Sequence, residues 1–122
     1  MRILATDTDH IVDFSQIDAL LNAAGRDGVL DILQAFWRST DELAAQLARQ
    51  LEEGDLNEAA RTAHAIKGSA ANVGASSLAF SARAIEACCR DGDAVAALAA
   101  IEIMRGAYAN TRATMSARVE AA

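Results

Sequence analysis

The fold is decided by residues 55–74, which read DLNEAARTAHAIKGSAANVG. An aspartate opens this stretch and a glycine closes it, and the whole chain contains no proline. Aspartate is a preferred helix N-cap and glycine commonly ends a helix, so these bounds predict one helix. Within them apolar residues recur every three or four positions, as on the buried face of an amphipathic helix. That stripe is Leu56, Ala59, Ala63, Ile66, Ala70 and Val73.

Three further stretches, 27–52, 77–90 and 93–119, have the same helical spacing, and no period-2 alternation is sustained anywhere. Their stripes are Val29, Leu33, Phe36, Leu43, Leu47 and Leu51, then Leu78, Ala82, Ile85 and Cys88 or Cys89, then Val95, Leu98, Ile101, Met104, Tyr108, Met115 and Val119. Short connections between four such helices predict an all-α fold, an antiparallel up-down four-helix bundle.

Acidic residues and glycines mark the predicted breaks. Gly54 and Gly92 are each followed by an aspartate, which predicts a helix end and then an N-cap. Asp55 with Glu58 resembles a capping box. Gly74 gives a third break, and the range 25–28, which holds two glycines, gives a weaker one.

A short additional helix is predicted near 15–23, opened by Ser15 with Asp18. Residues 1–12 are predicted to be a flexible N-terminal segment, and residues 13–122 a single helical domain. His10 lies in the acidic N-terminal region among Asp7, Asp9 and Asp13, which raises the possibility of a metal site. Their spacing matches no defined metal site, so a solvated tail is the favoured interpretation.

Composition excludes several classes of function. The formal net charge of −6 argues against nucleic-acid binding, which requires clustered cations. No apolar run approaches the roughly 20 residues that cross a bilayer, and the N-terminus lacks the pattern of a signal peptide. We therefore expect a cytoplasmic protein without membrane contact. Cys88 and Cys89 are adjacent and form no CxxC pair, so we expect buried free thiols.

The second face of the 55–74 helix carries the chain's only lysine. His64, Lys67 and Gly68 share this face because residues three and four apart are surface neighbours. His64 lies on the face opposite the apolar stripe that contains Ile66, so we expect it to face solvent. An exposed imidazole has an ordinary pKa of about 6.5, so near pH 7 much of it is neutral and nucleophilic. Lys67 would disfavour the charged ring and would stabilise an attached phosphoryl group.

Gly68 is unusual inside a helix, where glycine costs about 1 kcal/mol relative to alanine. One explanation is close approach, because a missing Cβ beside His64 lets another protein reach the imidazole. The alternative is a glycine that lets two helices pack closely. The sequence leaves both interpretations open.

The run His64-Ala65-Ile66-Lys67-Gly68, followed by small residues and Asn72-Val73-Gly74, resembles the histidine-containing phosphotransfer (HPt) domains of two-component phosphorelays. The resemblance extends over roughly residues 13–119. It implies that His64 accepts and donates a phosphoryl group through Nε2, that Lys67 stabilises that group, and that Gly68 leaves the approach to His64 open.

The resemblance also places Glu86 where family members often carry a polar side chain near the imidazole. There it could orient the ring by accepting from Nδ1–H, or it could be an ordinary exposed charge. Arg61, Ala60 and Ala71 lie on the His64 face and are the predicted partner-binding residues, although Arg61 could merely solvate its helix. Asn72 is expected to help end the helix rather than to touch phosphate.

The favoured function is that of a phosphorelay intermediate that takes a phosphoryl group from the aspartate of one receiver domain and passes it to another. The expected partners are response-regulator receivers and a hybrid sensor histidine kinase. The chain would act as a monomeric carrier rather than an enzyme, with no cofactor of its own, and any Mg²⁺ would belong to the receiver. One alternative is an HPt-like module that regulates a kinase or receiver without carrying phosphate. Another is a structural or metal-binding bundle, although paired Glu and Glu-x-x-His ligands are lacking.

Overall fold

The computed structural model describes residues 11–122. Over this range the regular structure is entirely helical, and its four helices are α1 (Phe14–Glu52), α2 (Leu56–Asn72), α3 (Ser76–Arg90) and α4 (Ala94–Ala121). Consecutive helices are joined by short turns and pack against each other, and α4 returns to contact α1. The predicted antiparallel four-helix bundle is confirmed.

The helix breaks fall at the predicted glycines. Asp55 caps α2 by accepting from the backbone N–H of Glu58 at 3.2 Å, and Asp93 caps α4 by accepting from Ala96 N–H at 3.0 Å. The capping box is only half formed, because Asp55 N–H donates to Gln50 O at 2.9 Å and the Glu58 carboxylate pairs with Arg61 at 3.4 Å. Both aspartates therefore satisfy backbone donors that the first helical turn leaves without a partner.

The first part of α1 is the predicted short helix, and it continues into the long helix through a kink at Gly25, where φ is +73° and ψ 173°. The prediction that Ser15 and Asp18 open it was wrong. Asp13 is the N-cap, with an extended backbone, and accepts from Ser15 N–H at 3.1 Å. Asp18 instead accepts from Arg118 on α4, with Nη2 at 2.6 Å, so its carboxylate is committed to a contact between helices.

The turn between α2 and α3 is enclosed by the start of α1. Asp13 N–H donates to Gly74 O at 2.7 Å, and Gln16 Nε2 donates to Asn72 O at 3.1 Å. Gly74 has φ +80°, and a Cβ there would lie 2.9 Å from the Gln16 Cβ. Only glycine suits both the left-handed backbone and this close approach.

The core follows the predicted stripes in α1, α2 and α3, with Cys89 buried, Leu43, Leu56 and Cys88 partly buried, and both cysteines free. The prediction was wrong at the start of α4, where Val95 is 80% exposed and Leu98 43% exposed. Ala97 takes the buried position instead, because it lies one helical turn before Ile101 on the same line of the helix.

Four side chains join α1 to α4, and we call them the Trp37 cluster: Trp37, Asp41, Tyr108 and Arg112. Tyr108 donates through its hydroxyl to Asp41 Oδ1 at 2.7 Å and contacts Trp37 O at 3.1 Å. The Arg112 guanidinium lies 5.3 Å from the centre of the Trp37 ring. Burial, together with the Asp41 carboxylate, raises the pKa of Tyr108 well above its usual range. Trp37 itself is buried, so the cluster packs around its ring.

Residues 1–10 lie outside the described range, and with them the proposed tail and the grouping of Asp7, Asp9 and His10. Val12 is buried in the core. Within residues 11–122 no helix combines the length and the apolar character that crossing a membrane requires. In the same range no three or more His, Cys, Asp or Glu side chains are grouped so that they could hold a metal ion.

Candidate functional site

His64 lies near the middle of α2, and its side chain is 60% exposed. The predicted solvent-facing orientation is therefore confirmed. The neighbouring Ala63 and Ile66 are buried in the core, with 0% and 1% exposure, so the helix is fixed on one side while the imidazole projects from the other. The sequence of α2 thus presents the ring on a rigid element rather than on a loop.

The side chain of Glu86 on α3 contacts the imidazole ring of His64. It is only 8% exposed, so it is not an ordinary surface charge. His64 Nδ1 lies 3.2 Å from Glu86 Oε1 and 3.1 Å from Oε2. Glu86 is therefore the side chain that fixes the position of the ring.

Two cations also contact the Glu86 carboxylate. Lys67 Nζ lies 3.3 Å from Oε1, while Arg90 approaches Oε2 with Nε at 3.1 Å and Nη2 at 2.8 Å. We call His64, Lys67, Glu86 and Arg90 the Glu86 cluster. Burial alone would raise the pKa of Glu86, but the hydrogen bonds from Arg90, His64 and Lys67 outweigh it and lower that pKa to about 2. Glu86 is accordingly ionised at neutral pH.

An ionised carboxylate only accepts hydrogen bonds, so Nδ1 must carry the hydrogen in the pair with Glu86. In a neutral imidazole the other nitrogen, Nε2, then has a free lone pair. Nε2 has no hydrogen-bond partner among residues 11–122. The geometry therefore leaves one exposed nucleophilic nitrogen, oriented by a buried charge.

Gly68 adjoins His64 on the exposed face of α2. A Cβ at this position would meet no atom within 4 Å apart from its own helix and chain neighbours. The packing interpretation of this glycine therefore has no neighbouring helix to support it. What the missing side chain does leave is open space beside the imidazole.

The three predicted partner-binding residues differ in accessibility. Arg61 is exposed, with 79% of its side chain accessible, and Ala71 is exposed as well. Ala60 is only 2% exposed, so the prediction that it contacts a partner was wrong. The reason is that α2 packs against both α1 and α3, which makes its buried face wider than a single stripe.

Sequence reasoning missed Arg90 and the exposed aromatic residue near the site. Arg90 follows Glu86 by four positions on α3, a spacing that brings side chains together and could have indicated the pair. Phe80 is 70% exposed and lines a surface groove together with Lys67, Ala71 and Arg83. Its position two residues after the buried Leu78 could have indicated an outward-facing side chain.

Comparison with known proteins agrees with this geometry. The Hpt domain family matches residues 31–114, more than half of the chain. This chain belongs to the Hpt domain family. Membership assigns it a histidine phosphotransfer role in a phosphorelay, the role of a phosphocarrier that interacts with receiver domains.

Solved structures of HPt proteins share the fold. A histidine-containing phosphotransfer protein from Medicago truncatula superposes with a TM-score of 0.83 at 18% identity, and the match covers 95% of this chain and 83% of that one. A histidine-containing phosphotransfer protein from maize gives a TM-score of 0.78 at 23% identity, covering 92% and 86% respectively. No curated protein sequence matches this chain significantly.

Proposed function

We propose that this Hpt chain is a phosphorelay intermediate in which His64 accepts a phosphoryl group from the aspartyl phosphate of one receiver domain and passes it to another. The observation that carries the proposal is the exposed imidazole whose Nδ1 contacts a buried, ionised carboxylate at 3.1 Å. A pure docking surface would gain nothing from such an oriented ring. This argues against the alternative of a regulatory module that carries no phosphate.

The transfer is a displacement at phosphorus. The Nε2 lone pair forms the N–P bond while the P–O bond to the receiver aspartate breaks, and the aspartate leaves as a carboxylate. The ring then carries a positive charge, which Glu86 stabilises through Nδ1–H. In the second transfer an aspartate oxygen of the next receiver forms the new P–O bond, and the N–P electrons return to Nε2. No proton has to be taken up or released at Nε2 in either direction.

Positioning and charge stabilisation are the main requirements of phosphoryl transfer. Lys67 lies three residues after His64 on α2 and contacts the carboxylate that orients the ring, and Gly68 leaves room for the incoming receiver. Mg²⁺ would be supplied with the receiver's own acidic site. A hybrid sensor kinase is the proposed upstream source, and a monomer suffices because all four members of the Glu86 cluster belong to one chain.

The test is labelling by a receiver domain charged with acetyl phosphate. We expect wild type and the His10→Gln variant to acquire acid-labile phosphate and to release it to a second, uncharged receiver. His64→Gln should keep the fold, because its side chain is exposed, but should acquire no label. His10 is the matched control because the chain has only two histidines. Labelling of His64→Gln at the wild-type level, or no labelling of wild type by any receiver from the same genome, would contradict the proposal.

A further inference from the structure

Arg90 is the last residue of α3, and its guanidinium contacts the Glu86 carboxylate rather than the imidazole. Both of its hydrogen bonds go to Oε2, whereas Lys67 Nζ lies against Oε1. The two cations therefore occupy different oxygens of one buried carboxylate. Either of them can move away without disturbing the contact made by the other.

This division matters because Lys67 is already engaged. Its ammonium lies 3.3 Å from Glu86 Oε1, so it cannot fully neutralise a phosphoryl group on Nε2 while that contact persists. Withdrawing a cation from a buried carboxylate leaves uncompensated charge, which is strongly unfavourable. The exchange is favoured if positive charge stays with Glu86 throughout, and the phosphorylated ring supplies such a charge through Nδ1–H only once the N–P bond has formed. Arg90 meets that requirement, because its guanidinium is always charged and its two bonds hold it in place.

We propose that Arg90 is a positioning residue that holds the charge of Glu86 while Lys67 moves from Glu86 to the phosphoryl group on His64. This inference rests on the proposed function and adds a step to it. No covalent bond changes in the step, since one ion pair is exchanged for another. Arg90 acts through Glu86 and Lys67, not on the phosphoryl group itself.

The experiment is a pair of double-mutant cycles on the full chain, with the rate of His64 labelling and the lifetime of the phosphorylated protein as readouts. In the wild-type background, Arg90→Gln should slow labelling on the order of tenfold, the lower end of what loss of an orienting outer partner costs. Arg90→Lys should recover part of the rate, because it restores a cation. Arg105→Gln is the matched control, since Arg105 also pairs with a carboxylate, that of the exposed Glu102 on α4.

Two backgrounds test whether Arg90 acts through the carboxylate. Glu86→Gln can still accept from Nδ1–H but no longer attracts Lys67, so adding Arg90→Gln should have no further effect. Lys67→Gln, in which Glu86 stays intact, should also remove the effect of Arg90→Gln. Each background is informative even if the other variant labels too slowly to measure. Thermal unfolding of every variant shows whether the fold is retained.

Three outcomes would overturn the inference. If Arg90→Gln slows labelling equally in all backgrounds, Arg90 acts directly on the phosphoryl group or on the receiver. If wild type labels normally and Arg90→Gln does too, Arg90 does not take part, while the proposed function stands. If wild type itself is not labelled on His64, the proposed function fails and this inference fails with it.

Discussion

The Glu86 cluster and the Trp37 cluster each join two helices around a carboxylate, but they bury opposite parts. In the Glu86 cluster the carboxylate is buried, with 8% of Glu86 exposed, and the imidazole side chain is 60% exposed. In the Trp37 cluster the indole is buried, with 6% of Trp37 exposed, and the Asp41 side chain is 57% exposed. One cluster removes a charge from water, and the other removes an aromatic ring.

This difference separates stability from chemistry. Burying an aromatic ring is favourable in itself, and the polar atoms of Tyr108 and Asp41 hydrogen-bond to each other at the edge of the cluster. Burying a carboxylate is unfavourable unless charged partners compensate it. In the Glu86 cluster hydrogen bonds from Arg90, His64 and Lys67 outweigh that cost and hold the carboxylate against the imidazole, whereas the Trp37 cluster contributes mainly to holding α1 against α4.

The largest expected effect on stability is that of Trp37→Ala. Removing this buried ring should lower the free energy of unfolding by about 3–5 kcal/mol. Labelling of His64 per folded molecule should be unchanged, because no residue of the Trp37 cluster belongs to the Glu86 cluster. Chemical denaturation and receiver-dependent labelling of the folded fraction measure the two quantities. A loss of labelling without a loss of stability would show that the two clusters are coupled.

Glu86 predicts a pH dependence of stability that Glu86→Gln should remove. Its folded-state pKa of about 2 lies below its ordinary value of 4.5, so its contribution is fully present above pH 4.5 and is lost as the pH falls towards 2. Such a difference in pKa corresponds to about 3 kcal/mol at most. Denaturation between pH 6 and pH 2 should therefore show a stability difference between wild type and Glu86→Gln that shifts in favour of the variant on acidification. A constant difference would mean that the charge is not stabilised by its neighbours.

The smallest expected effect on stability is at Gly68, which belongs to neither cluster but adjoins His64. Because a Cβ would meet no neighbouring atom, Gly68→Ala should raise the free energy of unfolding by up to about 1 kcal/mol. Gly68→Gln should fold comparably but slow transfer and weaken receiver binding by obstructing the approach to His64. Unfolding of Gly68→Gln would show instead that the glycine is needed for packing. Normal transfer would place the receiver elsewhere around the imidazole.

Much of this architecture was predictable because it depends on local patterns. Gly54, Gly74 and Gly92 lie at the helix ends with positive φ, and the stripe of α2 follows directly from a period of 3.6 residues. The outward direction of His64 follows from the same period. Ser15 is not the N-cap, because Asp13, two residues earlier, accepts from both the backbone N–H and the hydroxyl of Ser15 and so opens the helix itself.

The remaining errors concern contacts between helices, which periodicity along one helix does not determine. Ala60 is buried because α2 has two neighbours, and Val95 is exposed because α4 turns Ala97 towards the core. The sequence suggested Glu86 as a partner for His64 but left an exposed charge equally open. Its burial depends on how closely α3 approaches α2, whereas its pairing with Arg90 follows from the i,i+4 spacing along α3.

The kink at Gly25 has a consequence for the lengths of the helices. At 1.5 Å per residue, α2 and α3 are about 25 Å and 22 Å long, whereas α4 and the portion of α1 after the kink are each about 40 Å long. The α2–α3 hairpin, which carries His64, is thus about 15 Å shorter than α4 and the later part of α1.

Residues 14–24 measure about 16 Å and fill that difference. They lie against the α2–α3 turn through Gln16 and against the far end of α4 through Asp18, and their Ile17 is fully buried. The molecule is therefore a bundle of four helices along the length of the α2–α3 hairpin. Beyond the α2–α3 turn it is a bundle of three helices. The first helical segment completes the apolar interior at the end that the hairpin does not reach.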